Sequence, residues 1–172
     1  MGLLALDLEG RERWRVPLGP FRTAYGMASS PIVAEGLVVQ VCDQQKGSFL
    51  IAVEARTGRT RWRVERPDMR EGWFTPAVVR RTGQPIVRTL VVPGSARIEG
   101  IELETGRRLW AILGSGAENL GVPLVDAGRV YVNVRGFDAP TFPAWSVHRD
   151  KFDANDDGRL SREEVKANAP GQ

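Results

Sequence analysis

The sequence predicts an all-β fold, and three observations carry that prediction. Trp14, Trp62 and Trp110 follow one another at two equal intervals of 48 residues. Each stands four residues after a glycine, namely Gly10, Gly58 and Gly106. The segments between these landmarks are short, rich in Val, Ile and Leu, and bounded by Gly, Pro or Asp, as strands are. Before residue 140 no stretch shows the 3.6-residue apolar period that an amphipathic helix would need. With 19 glycines and 11 prolines the chain is also rich in turn formers.

Taken in order, the elements repeat. An apolar segment at residues 4–7, 51–54 and 100–103 leads into each glycine turn. In the second and third copies the turn reads Arg56-Thr57-Gly58-Arg59 and Glu104-Thr105-Gly106-Arg107. Its glycine suits a left-handed backbone position that joins two strands. A proline recurs 13 to 17 residues after each tryptophan, at Pro31, Pro76 and Pro123. Further strands are expected at residues 36–39, 49–53, 86–92 and 129–134. Forty-eight residues hold about four strands of roughly 5–6 residues with their turns, the size of one propeller blade.

The pattern at residues 5–14, with its copies ending at Trp62 and Trp110, resembles the tryptophan-docking repeat of the PQQ-like, quinoprotein-type β-propellers. The resemblance spans roughly residues 3–134 and includes Ser29-Ser30-Pro31-Ile32-Val33 and the stretch from Asp43 to Leu50. It implies that each tryptophan packs between neighbouring blades as a core residue and that the Thr-Gly turn hydrogen-bonds across. The first turn departs from the pattern: it is one residue shorter and lacks the threonine, and Glu54 and Glu102 stand where aspartate is usual. The repeats amount to about three four-stranded antiparallel blades, whereas closed propellers use about 4–8. The expectation is therefore a partial β-propeller over residues 1–136, the C-terminal portion of a longer protein, with open edges prone to self-association. The chain itself shows no export signal.

Composition narrows the function classes. The 24 basic residues are spread along the chain, often beside an acid, and form no stripe that would read as a nucleic-acid surface. No apolar run approaches a membrane span. Cys42, the single cysteine, lies in an apolar run and reads as a small buried hydrophobe. His148, the single histidine, has no second His or Cys with which to share a metal. Trp73 and Trp145 fall outside the repeat phase, and their roles stay open.

The segment 137–172 carries a different signal. Residues 153–164 fit the Asp-x-[Asp/Asn]-x-[Asp/Asn]-Gly-x5-Glu pattern of a calcium-binding EF-hand loop at every required position. A hard cation takes six to eight oxygens, so Asp153, Asn155 and Asp157 would supply side-chain oxygens at loop positions 1, 3 and 5. Gly158 makes the sharp turn, Arg159 would give its carbonyl, Ser161 would act through a water, and Glu164 would bind with both carboxylate oxygens. Short helices are expected on either side, making a small helix–loop–helix. With three acidic ligands and no visible partner hand, the site is expected to be weak, about 10⁻⁴–10⁻³ M.

The function these readings imply is a calcium-binding, non-catalytic propeller scaffold that holds an unidentified protein partner through its surface. In the PQQ-like family a trailing hand and an exported location go together, so the resemblance implies a periplasmic or otherwise extracytoplasmic parent. The alternative is a fragment of a PQQ-dependent alcohol or sugar dehydrogenase. That enzyme would need a quinone pocket, commonly with adjacent cysteines and a calcium-bridged aspartate, and no such cluster can be assigned in the blades.

Overall fold

The 48-residue period of the sequence is the period of the sheets. The computed structural model describes residues 2–80, 87–95, 97–113 and 120–133, together with 155, 157, 161 and 163. The chain divides into two compact units, Met1–Gly136 and Phe137–Gln172. The first opens with the hairpin β1 (Gly2–Leu6) and β2 (Glu12–Pro17). A four-stranded antiparallel meander follows: β3 (Ile32–Ala34), β4 (Leu37–Cys42), β5 (Phe49–Glu54) and β6 (Thr60–Glu65). After the short β7 (Trp73–Phe74) comes a second such meander of β8 (Ala77–Arg80), β9 (Arg88–Gly94), β10 (Arg97–Glu102) and β11 (Arg108–Leu113). Strand β12 (Leu120–Gly121) pairs in parallel with β7, and a hairpin of β13 (Leu124–Asp126) and β14 (Arg129–Tyr131) ends the unit's described strands. The two meanders are complete blades. The hairpin β1–β2 matches the third and fourth strands of a blade, and β13–β14 the first and second.

Strand β4 reads as an apolar run interrupted only by Gln40, because both faces of its blade are covered. Val39 and Val41, with Leu50 and Ala52 of β5, join Leu90, Val92, Ile101 and Leu103 of the second blade in one core. Cys42, Phe49, Ile51 and Val53 face the other way and pack with Leu3, Trp14 and Val16 of the first hairpin. A third, smaller cluster joins Val79, Val91 and Ile98 to Val130 and Val132.

Each tryptophan is aimed by a bulge. The β1–β2, β5–β6 and β10–β11 ladders all shift register at the same place, so that one residue just before Trp14, Trp62 and Trp110 is extra. A bulge bends the strand and re-aims the side chain beside it. The residue paired with each ring is small: Ala5, Ala52 and Gly100.

Two of the rings then dock on the next sheet. Trp14 Nε1 donates to the Ala55 carbonyl, and Trp62 Nε1 donates to the Leu103 carbonyl, each at 2.9 Å. Gly58 lies under the Trp14 ring with φ of 72°, and a Cβ there would come within 2.8 Å of it. Gly106 lies in the same way under Trp62. The cross-blade bond thus comes from the indole, whereas the turn threonine serves its own turn. Thr57 donates to Glu54, and Thr105 to Glu102, while Arg59 and Arg107 close on the same glutamates. These hydrogen bonds, from Arg59 foremost at Glu54 and from Thr105 foremost at Glu102, hold both carboxyls below the usual range. The shorter first turn takes the shorter acid: Asp7 accepts directly from the backbone N–H groups of Glu9 and Arg11.

Trp110 departs from the expected core role. It is 38% exposed, against 9% for Trp62, because among the described residues no turn lies over it as Leu103 lies over Trp62. The expected helix–loop–helix falls mostly outside the described residues, of which Glu163 has helical geometry.

Replacing Trp62 by alanine is expected to cost about 3–5 kcal/mol. Gly106→Ala should destabilise more in the native background than in Trp62→Ala, because the clash with the ring is then removed, while the contact with Val64 Cγ2 and the cost of the left-handed backbone remain in both. Urea denaturation of the four proteins measures this, and additivity within about 0.5 kcal/mol would refute the packing of ring on glycine.

Candidate functional site

The turn between β4 and β5 is built to hold something beyond itself. Its two ends are tied, Ser48 Oγ accepting from Gln44 N–H at 3.0 Å and donating to the Met69 carbonyl at 2.8 Å. Gln44 Oε1 accepts from Arg22 N–H at 3.0 Å, and Gln45 N–H donates to the Arg22 carbonyl at 2.9 Å. The loop between β2 and β3 is thereby fixed at its middle. Its far part is fixed to the segment around β7: Ala24 N–H donates to Glu71 at 2.7 Å, Ser29 Oγ to the Phe74 carbonyl at 3.0 Å, and Trp73 Nε1 to the Gly26 carbonyl at 3.0 Å. Trp73, left open by the repeat, belongs to this loop surface.

The product is an ordered aromatic surface. Tyr25 is 83% exposed and lies against Trp73 with ring centroids 5.4 Å apart. Glu71, which accepts from the Ala24 N–H, ties the loop next to Tyr25. An exposed Tyr held against a half-buried Trp is of the residue types that carry binding energy at protein interfaces, because they bring large contact area with little rotamer entropy to lose. Sequence reasoning missed this surface, since Tyr25 and Trp73 meet only through the fold.

Sequence reasoning also missed a buried charge cluster. Arg66 NH1 donates to both Asp43 carboxylate oxygens at 2.9 and 2.8 Å, and Arg66 NH2 to Glu99 at 3.0 Å. All three side chains are almost wholly buried. Arg97 and Arg108 add contacts to Glu99 at 3.2 and 3.3 Å from the rim of a cleft of about 290 Å³. Arg66 follows β6 and Glu99 lies on β10, so the cluster couples the two complete blades. Burial raises Asp43 to about 7; Arg66 opposes the rise and Glu99 adds to it. Cys42, next to Asp43, is buried as expected, and burial pushes its thiol up to about 12, far from a reactive thiolate.

Of the calcium-loop residues, Asn155, Asp157 and Ser161 are described, while Asp153, Arg159 and Glu164 lie outside the described residues. Asp157 N–H donates to Asn155 Oδ1 at 3.0 Å, and Asn155 Nδ2 to Asp157 at 3.2 Å. Asn155 and Asp157 are therefore tied to each other. Their oxygens, with that of Ser161, are the hard donors that calcium prefers. Among the described residues no group of three or more His, Cys, Asp or Glu comes together as a metal site, and no helix is long and apolar enough to cross a membrane.

The Asp43 carboxyl gives a pH-dependent expectation. A carboxyl held above its unfolded value of 3.8 keeps its proton longer when folded. Its contribution is full below that value and is lost as pH rises through about 7. Between about pH 5 and about pH 8, the wild type should lose stability relative to Asp43→Asn, whose amide does not titrate. Parallel urea profiles for the two proteins would refute it.

Comparison with one solved structure, BamB, agrees with this architecture. BamB from Moraxella catarrhalis superposes with a TM-score of 0.53 at 19% identity, over 76% of this chain and 36% of that one. A quinohemoprotein alcohol dehydrogenase from Pseudomonas putida HK5 gives 0.46 at 16% identity, over 76% of this chain and 28% of that one. The chain thus spans about a third of the length of these structures. No curated protein matches it. Residues 2–138 match the family model described as outer membrane protein assembly factor BamB, and with the repeated docking of tryptophan on turn this places the chain in that family of PQQ-like β-propellers.

Proposed function

We propose that this chain is a non-catalytic scaffold of outer-membrane protein assembly. It would hold a protein partner through the loop surface around Tyr25 and Trp73, and a calcium ion through Asp153, Asn155, Asp157, Arg159, Ser161 and Glu164. The observation that carries the reading is family membership across residues 2–138, in a family described as an assembly factor. The preorganised Tyr25–Trp73 pair supports it, because a surface already tied down by side-chain bonds loses little entropy on binding. Residues 1–136 would form the propeller and 137–172 the calcium-binding segment, working outside the cytoplasm where calcium is high enough to fill a weak site. In the second segment, the mutual hydrogen bonds of Asn155 and Asp157 support a hard-cation site, and calcium there would order the loop without entering any chemistry.

Calorimetric titration with Ca²⁺ is expected to show one site with a dissociation constant near or below about 1 mM, lost in Glu164→Gln. Absence of heat in a folded sample would remove calcium from the proposal. Incubation with PQQ and Ca²⁺ should give no dye-linked alcohol oxidation; turnover would overturn the non-catalytic reading in favour of a dehydrogenase fragment. Tyr25→Ala should weaken binding to purified outer-membrane assembly components by about 10–30-fold without changing the fold. Unchanged affinity would move the partner surface elsewhere.

A further inference from the structure

The cleft between the two four-stranded sheets gathers more cations than its acids can pair. Leu50, Val64 and Arg66 line it from the first sheet, and Arg97, Ile101 and Arg108 from the second, with Glu99 between the arginines. Both Asp43 oxygens accept from Arg66 NH1, and Glu99 Oε2 accepts from Arg66 NH2. Glu99 Oε1 is then left to two further guanidinium groups, Arg108 at 3.3 Å and Arg97 at 3.2 Å. Neither is well served by it. Arg97 Nε is buried without the alignment of a hydrogen bond, and it joins Arg66 Nε as a buried donor that has no hydrogen-bond partner.

The remaining acids do not make up the difference. Asp68 stands 3.5 Å from Arg97 with a side chain 76% exposed, where water screens the pair. Glu65, also on the cleft, is taken by Arg63 at 2.7 Å. Arg97 NH2 and the Nε and NH2 of Arg108 have no acceptor among the described residues. Above pH 7, where Asp43 has given up its proton, three guanidinium groups face two buried carboxylates and one positive charge is left over.

We propose that this cleft binds a small organic monocarboxylate, its two oxygens on the N–H groups of Arg97 and Arg108 and its apolar body against Leu50, Val64 and Ile101. A guanidinium fork matches the two oxygens of a carboxylate, and the donors left over here are of that kind. The single surplus charge suits a monoanion, while the Glu99 carboxylate alongside disfavours a doubly charged phosphate. Leu50 and Ile101 are buried aliphatic side chains and favour a hydrocarbon chain over a polar one. A volume of about 290 Å³ lies at the lower end for small-molecule sites, so the ligand is an acid with a short chain. The proposal does not depend on the calcium or partner reading. Because the walls of the cleft belong to different sheets, the bound acid would tie the sheets together where Arg66 already does.

Calorimetric titration of the full chain with hexanoate at pH 8 tests this. One saturable site is expected, with acetate at least about tenfold weaker because it lacks the chain. Hexanol and inorganic phosphate should not bind. Hexanoate should also raise the midpoint of thermal unfolding, as any ligand of the folded state does. Arg108→Gln, on a largely exposed side chain, should keep the circular dichroism of the wild type and weaken hexanoate by about 10–100-fold. Arg15→Gln, the same change at an exposed arginine of β2, should leave binding as it was. Hexanoate that gives neither saturable heat nor a shifted midpoint overturns the proposal, as does undiminished binding by Arg108→Gln. Hexanol binding as well as hexanoate rejects the arginine pair, and phosphate binding as well as hexanoate rejects the apolar part of the site.

Discussion

One hydrogen bond and the ring that makes it organise the propeller unit. An indole N–H on the last strand of one sheet reaches a carbonyl just past the third strand of the next, and the ring covers a glycine that has no side chain to obstruct it. The bulge before the tryptophan, the small residue paired with it and the left-handed glycine are all conditions for that contact. A side chain larger than alanine opposite the ring, or any Cβ under it, would displace the indole. The donor and acceptor of each contact lie one sheet apart, and the tryptophans therefore recur once per sheet.

This is why so much of the fold could be read from the sequence. Tryptophan and glycine are the two residues that the contact cannot replace, so its repetition is written in their positions. The strands at 49–53 and 86–92 were legible from apolar runs whose two faces are both covered. The buried status of Cys42 was legible for the same reason. What was illegible arises from pairs without a local signature. Asp43, Arg66 and Glu99 are separated by 23 and 33 residues and have no shared motif, and each alone resembles an ordinary surface charge. Tyr25 and Trp73 likewise meet through two loops, whose hydrogen bonds depend on backbone carbonyls that no residue type announces.

Trp110 shows the limit of arguing from a repeat. Its place in the pattern promised burial, but burial depends on the sheet that comes next, and the ring is left over a third exposed. The EF-hand pattern at residues 153–164 shows the opposite case: it is legible in one line of sequence because a hard cation would dictate the spacing of its ligands, whatever the fold around it.

The docking contact also has a direction in time. Trp14 and Trp62 each wait for an acceptor 41 residues later in the chain. During synthesis, a finished sheet is therefore locked only once the following one has emerged, and the wait is the same at each step. Contacts of fixed, moderate sequence separation let such a molecule assemble sheet by sheet, with no closure of a long loop needed until the end. The sheet made most recently is always the loosest, so the growing edge is where a chaperone, a protease or an incoming strand finds its opening.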